Sequence, residues 1–255
     1  MPRDSRSSAL EKALSVLEAV GDQSHAVGLP DLAARLGLPR QTVHRVLGQL
    51  EKLRLVIRDH SRERYSVGPR LSRLAFATLR SLNQSAPVRL ILQDLVDEFG
   101  ESCNVGVLDD LDYVFLQLVE CQWPLRLYQE AGTRIPAHTV SGGKLLLAYL
   151  DPANSRRRVK GRKLKASTSY TLTSPAELEA EFERIRAAGY ALNNQERFEG
   201  MIGVAVPIFD PIGNVLAALG MHGPLTRISM KTCERHVPRL QQAAERIARV
   251  WLVEG

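Results

Sequence analysis

The chain has 255 residues, 44% of them hydrophobic, and a formal net charge of +6. That length accommodates two domains, each with its own core, and no apolar run is long enough to span a membrane. The opening MPRDSRSSALEKAL lacks the apolar stretch of a secretory signal. Cys103, Cys121 and Cys233 are scattered without a C-x-x-C pair. These features speak against a disulfide framework and against a zinc site, and for a cytoplasmic protein with reduced thiols and neither metal nor cofactor.

The charge is unevenly placed. Of the 34 Lys/Arg and 28 Asp/Glu, residues 1–80 hold 14 and 8, which leaves 20 of each in the remainder. A basic head on a neutral body points to a polyanion-binding module joined to a part with another task.

In chain order, Ser8-Ala-Leu-Glu11 has capping-box spacing ahead of a helix that buries Leu10, Ala13, Leu14 and Leu17 and ends at Gly21-Asp22. Pro30 starts a second helix, with Leu32, Ala33 and Leu36 inward and Gly37 as its stop. A third opens at Pro39-Arg40 and buries Val43, Val46, Leu47 and Leu50. Two β-prone segments, Leu55–Arg58 and Arg64–Val67, flank a hairpin loop, the wing. Residues 71–85 read as a linker helix. Pro87 then begins a helix with Val88, Ile91, Leu92, Leu95, Val96 and Phe99 inward.

Beyond it the spacing predicts strands at Cys103–Leu108, Tyr113–Val119, Leu125–Glu130, Tyr190–Asn193, Gly203–Phe209 and Val215–Met221. Helices are predicted at Ser141–Leu150, Pro175–Ala188 and Ser229–Val253. Strands that follow one another without crossover helices make an antiparallel sheet flanked by helices. The fold class is therefore α+β.

The window LPDLAARLGLPRQTVHRVLG (29–48) has the demands of a helix-turn-helix. Ala33 is small where two helices cross, Gly37 tolerates positive φ in the turn, and Val43 is an aliphatic core residue of the second helix. With those inside, Arg40, Gln41, Thr42, His44 and Arg45 are left outside, where a recognition helix meets the edges of the bases in the major groove. Arg pairs bidentately with guanine and Gln with adenine. Arg58, Arg62 and Arg64 cluster in the wing, suited to phosphate or minor-groove contact.

The stretch Ala9–Leu71, with LPDLAARLGLPRQTVHRVLGQLEKLRLVIRD and RYSVGPRL, resembles the DNA-binding domain of IclR-type bacterial regulators. Ile135–Ala148 looks like that family's L-P-x-H-A-x-G-x-G-K-A-x-L-A segment, Gly200–Asp210 like G-x-x-C-I-A-A-P-I-x-D, and Ala217–Pro224 like A-A-L-S-V-S-G-P. The resemblance implies a winged helix-turn-helix at 1–70, a linker helix at 71–85, and a GAF/PAS-like domain at 86–255 that binds a small organic acid. It also implies a homodimer or tetramer on a near-palindromic double-stranded operator, with RNA polymerase as a further partner.

The resemblance places effector contacts at Leu127, Ile135, Ser141, Gly142, Asn193, Gly203, Gly220 and His222. Ser141 and Gly142 open a helix, whose free backbone N–H groups make an anion site. This sequence departs from the family's common residues: Ser141 and Gly203 replace Gly and Cys, Asn193 replaces Asp, and Gly220 and His222 replace Ser. The departures are consistent with a roomier pocket for a longer or aromatic acid, or with altered sensing. His138, Ser141 and Cys103 form no triad order, so no catalytic residue is expected. The segment RRRVKGRKLK (156–165) has seven basic residues in ten. A mobile solvated loop and a second DNA or subunit contact are both open for it.

Overall fold

The computed structural model describes residues 8–22, 26–59, 63–71, 73–74, 86–159 and 162–253. The chain divides into two compact units, Met1–Thr78 and Leu79–Gly255.

The first unit runs α1 (Ala9–Gly21), β1 (Val27–Gly28), α2 (Leu29–Leu36), α3 (Arg40–Lys52), β2 (Val56–Asp59) and β3 (Arg64–Val67). Its local signals act as their chemistry requires. The Ser8 hydroxyl accepts from the Glu11 amide at 3.1 Å, and the Glu11 carboxylate accepts from the Ser8 amide at 2.6 Å. Gly37 takes φ 62° and turns the chain between α2 and α3. Val16, Leu32, Val43, Leu47 and Val56 are completely buried in one cluster, each worth about 1.5–3 kcal/mol of hydrophobic burial. Leu10 and Leu14, expected inside, are exposed. The core takes a rotated face of α1, through Val16, Ala19 and Val20, with the expected Ala13 and Leu17 packed against its edge. The sheet is ordered β1-β3-β2. β1 is too short to show any period, and it pairs Val27 with Tyr65 and Gly28 with Arg64. Of the linker over 71–85, only residues 71, 73 and 74 are described, and they are helical; the rest of that expectation lies outside the described residues.

The second unit runs α4 (Ala86–Phe99), β4 (Ser102–Asp109), β5 (Asp112–Val119), β6 (Arg134–Pro136), a 3-10 turn (Ala137–Thr139), α5 (Ser141–Tyr149) and α6 (Pro152–Val159). It continues through α7 (Pro175–Ala188), β7 (Ala191–Asn194), β8 (Met201–Phe209), β9 (Val215–Pro224) and α8 (Met230–Val253). Six strands form one sheet in the order β6-β5-β4-β9-β8-β7, and every pairing is antiparallel. From Ile202 to Ile208, β8 is buried without interruption, as a strand covered on both faces is. The α5 and α7 helices share a core cluster with Tyr113, Phe115, Ala205 and Ala218. The α8 helix packs along β8, and α4 along β4 and β5. The α+β architecture expected from the sequence is the one found.

Two expectations are corrected. Leu125–Glu130 is not a strand; the third strand of the meander is β6, further on. The segment has no partner strand, and its alternation holds only over its second half. Leu127 and Gln129 turn inward to line a cavity while Leu125 and Tyr128 stay exposed. The basic 156–165 segment is not wholly loop, because residues 156–159 close α6. Two of its cations reach the β4–β5 turn: Arg158 donates to the Asp110 carbonyl at 2.9 Å, and Arg162 lies 3.1 Å from the Asp110 carboxylate.

Candidate functional site

The first unit presents its polar edge on α3. Once Val43, Val46, Leu47 and Leu50 are buried, Arg40, Gln41, His44 and Arg45 are exposed and Thr42 is half-buried, all in the N-terminal half of the helix. In the wing the three arginines differ. Arg58 lies 2.9 Å from the Glu63 carboxylate and stacks its guanidinium 5.7 Å from the centre of the Tyr65 ring. Arg64 donates to the Ala26 carbonyl at 3.0 Å, so part of its guanidinium braces β3. Arg62 lies outside the described residues.

In the second unit a cavity of about 60 Å³ opens at the N-terminus of α5. Leu127, Ile135, Ser141, Gly142, Asn193, Gly203, Gly220 and His222 all line it. They come from the loop before β6, from β6 itself, the start of α5, and strands β7, β8 and β9. Register explains the convergence: Gly203 faces both Asn193 and His222 across the sheet, and Gly220 faces Asn104.

The α5 helix begins Ser141-Gly142-Gly143 with no side chain capping it. Its first amides therefore have no intrahelical acceptor and face the cavity with the positive end of the helix dipole. The two glycines are dictated by contact. A Cβ on Gly142 would come within 2.7 Å of the Tyr113 ring, and one on Gly143 within 2.2 Å of the Ala137 carbonyl oxygen.

Residues outside the sequence-based set complete the polar lining. Tyr113, buried on β5, donates from its phenol to Asn104 Oδ1 at 2.8 Å. Asn104 Nδ2 lies 3.4 Å from His222 Nδ1. Burial pulls His222 down to a pKa of about 4, so its ring is neutral at neutral pH. Arg197 also lines the cavity; its Nη1 donates to Ser167 at 3.1 Å, while its Nε has no partner. Among the described residues, Arg197 is the only one on the lining with a permanent charge. Neither Tyr113, Asn104 nor Arg197 falls in a segment whose spacing advertised it. The only signal for the first two was their place as inward residues of β-prone runs.

Two of the substitutions read from sequence act differently in three dimensions. Asn193 is a brace: its Nδ2 donates to the Thr139 carbonyl at 2.9 Å and its Oδ1 accepts from the Glu196 amide at 3.0 Å. A carboxylate could not make the first bond. At Gly203 a Cβ would sit 2.8 Å from the Met221 carbonyl oxygen, so this glycine serves a close strand approach and opens no spare volume. Gly220 does leave room, since a Cβ there meets Asn104 at an ordinary 3.4 Å.

Beneath the site, Lys144 is 1% exposed and lies 2.6 Å from Glu196 and 2.9 Å from Glu181. It ties α5 to α7 and to the turn after β7. His138 is buried, with Nε2 3.1 Å from the Lys165 carbonyl; burial lowers its pKa. Among the described residues, no group of three or more His, Cys, Asp or Glu is placed to hold a metal, and no helix is long and apolar enough to cross a membrane.

Comparison with known proteins covers both units. Residues 9–60 match the IclR helix-turn-helix domain, and residues 76–249 match the bacterial transcriptional regulator IclR C-terminal domain. The chain is 37% identical over 243 residues to the probable transcriptional regulator SauR of Cupriavidus necator, covering 95% of this chain and 96% of that one. The crystal structure of the Thermotoga maritima IclR covers 94% of this chain and 97% of its own, with TM-score 0.62 and 26% identity. An IclR homologue of Microbacterium hydrocarbonoxydans, solved with 4-hydroxybenzoate, covers 95% of this chain and 98% of its own, with TM-score 0.58 and 26% identity. With a DNA-binding domain and a ligand-binding domain matched in order along nearly all its length, the chain belongs to the IclR family of bacterial transcriptional regulators.

Proposed function

We propose that the chain binds a near-palindromic operator as a dimer or tetramer and releases or remodels it when a small organic acid occupies the cavity at the N-terminus of α5. The observation that carries this reading is convergence. Eight residues spread from 127 to 222 line one cavity at a helix N-terminus, with the Arg197 Nε donor unpaired on its lining, and the chain's other unit is a DNA-binding domain. The acid's carboxylate lies at the Ser141 and Gly142 amides, where the helix end favours negative charge. Leu127 and Ile135 supply apolar wall.

Arg40, Gln41, Thr42, His44 and Arg45 read bases and phosphates; Arg58, Arg62 and Arg64 hold the flanking backbone. No step of chemistry is assigned to any residue, and the protein acts in the cytoplasm through RNA polymerase at the operator. As it stands, the cavity of about 60 Å³ suits an acid of a few carbons, being well below the roughly 150 Å³ of an apolar cavity that admits benzene. A ring such as that of the 4-hydroxybenzoate held by the Microbacterium homologue enters when Leu127 and Phe198 move aside.

The experiment is mobility shift on the gene's own upstream region with a panel of two- to four-carbon acids and benzoates, beside thermal shift of the protein. An acid that both stabilises the protein and changes operator affinity supports the reading. No response to any acid, with DNA binding intact, removes the effector half of it.

A further inference from the structure

Among the residues that line the cavity, two have a buried polar atom without a hydrogen-bond partner: Arg197 Nε and His222 Nε2. Arg197 Nε is a donor by its nature. The character of His222 Nε2 follows from its neighbours. The Tyr113 phenol donates to Asn104 Oδ1, which turns the amide nitrogen of Asn104 toward the imidazole. An NH₂ group facing Nδ1 can only donate, so Nδ1 must be the bare nitrogen. The ring's single proton then sits on Nε2, which has no partner in the protein, on a residue of the cavity lining.

We propose that Tyr113 and Asn104 lock His222 in this tautomer, making it a specificity-determining donor that requires a second, proton-free oxygen acceptor in the effector, a keto or second carboxylate oxygen. This rests on the acid-effector reading above. The two buried unmet atoms of the lining, Arg197 Nε and His222 Nε2, and with them the α5 amides, then ask for oxygen. A ligand ammonium at the same place would face the Nε2–H, the Arg197 cation and the positive end of α5, with no acidic residue on the lining to receive it. The cavity therefore separates a keto acid or a diacid from the amino acid of the same size. Discrimination of this kind is strong because the wrong partner leaves buried donors unpaired.

The test uses the full-length protein and size-matched pairs: pyruvate against alanine, and succinate against 4-aminobutanoate, by calorimetry. The acceptor member of a pair is expected to bind at least tenfold tighter, and His222→Leu is expected to level the pair. In parallel, ¹⁵N NMR of the imidazoles in the unliganded protein reads the His222 proton directly. The expected signature is Nε2–H, moving to Nδ1–H in Asn104→Asp, whose carboxylate would accept from the ring. Equal binding of both members, or Nδ1–H in the wild type, overturns the proposal. If no acid of either kind binds, the proposal falls together with the acid-effector reading. The imidazole then shows which step failed: Nε2–H places the error in the ligand class, and Nδ1–H places it in the relay.

Discussion

The two units put their function in opposite places. In the first, the described residues assigned to DNA stand along one helix and one hairpin, close in sequence, and those on α3 are exposed or half-buried. In the second, the residues assigned to the ligand face inward, come from segments as far apart as Asn104 and His222, and are held by one another. A head of that kind tolerates change at its reading edge without unfolding. A body of that kind does not, because its pocket wall is also its core. The difference can be tested by asking how stability and binding part company under mutation.

The largest effect is expected at Lys144. The ammonium stands against Glu196 and Glu181 with almost no exposure. Lys144→Met keeps the stem and leaves the buried Glu196 without its cation, while Glu181 keeps Arg184. Removing one partner of a buried ion pair costs about 3–5 kcal/mol. The stability of the variant is also expected to rise as pH falls. Without Lys144, the Glu196 carboxyl, already raised by burial, binds its proton still more tightly in the folded state than in the unfolded one, and protonation then favours folding. Denaturant unfolding of the full chain at pH 5 and pH 8 reads both. A loss under 1 kcal/mol, or no pH dependence of that loss, would mean that the pocket's support is not the ion pair.

Next in size are the reading-edge substitutions, and here stability should stay put. Arg40→Ala and Gln41→Ala are expected to cost about 1–3 kcal/mol of operator affinity each and to relax the preference at one base position. Arg58→Ala should instead weaken binding to any duplex evenly and lower the slope of affinity against salt by about one phosphate contact. Melting temperature of the protein alone should be unchanged by the two α3 variants, whose side chains are exposed. If Arg40→Ala and Gln41→Ala leave specificity intact, the reading edge lies elsewhere.

These expectations show what the sequence could carry. In the head, subtraction suffices: the core period of α3 removes Val43, Val46, Leu47 and Leu50, and what is left is the functional edge. Gly37 was readable as a positive-φ stop for the same local reason. In the body, motif resemblance placed eight residues round one cavity, yet the roles of two were misread from residue type alone. Asn193 looked like a lost charge and is a backbone brace; Gly203 looked like added space and is a close strand contact. Tyr113, Asn104 and Arg197 escaped altogether. Their meaning depends on strand register and on hydrogen bonds across β4, β5 and β9, which no local pattern encodes. Leu125–Glu130 shows the converse, a β-prone run that pairs with no strand and turns only Leu127 and Gln129 to a cavity.

A pH effect of intermediate size belongs to the body alone. His222 is held near pKa 4 when folded, against about 6.5 when unfolded. Between those values the unfolded chain binds the proton and the folded chain does not, so stability falls as pH drops from about 6.5 toward 4 and levels off below. The loss attributable to this ring reaches at most about 3 kcal/mol at the bottom of that window. Thermal unfolding of the wild type against His222→Leu across that range isolates it. Parallel curves for the two proteins would show that the ring is not held neutral by its surroundings.

The smallest effect sharpens the comparison from the side of the head. Glu63 is 79% exposed and pairs with Arg58 at the wing, where the pair contributes under about 1 kcal/mol to folding. Its carboxylate engages the guanidinium that is proposed to meet phosphate, and it adds negative charge beside the DNA backbone. Glu63→Gln should therefore tighten binding to every duplex by a few tenths of a kcal/mol, equally for operator and unrelated sequence. The gain should shrink as salt rises, since screening weakens exposed charges first. A titration of both duplexes at low and high ionic strength decides it. Tightening confined to the operator would move Glu63 from the backbone to the bases, and no change at any salt would take the Arg58 side of the wing away from the DNA.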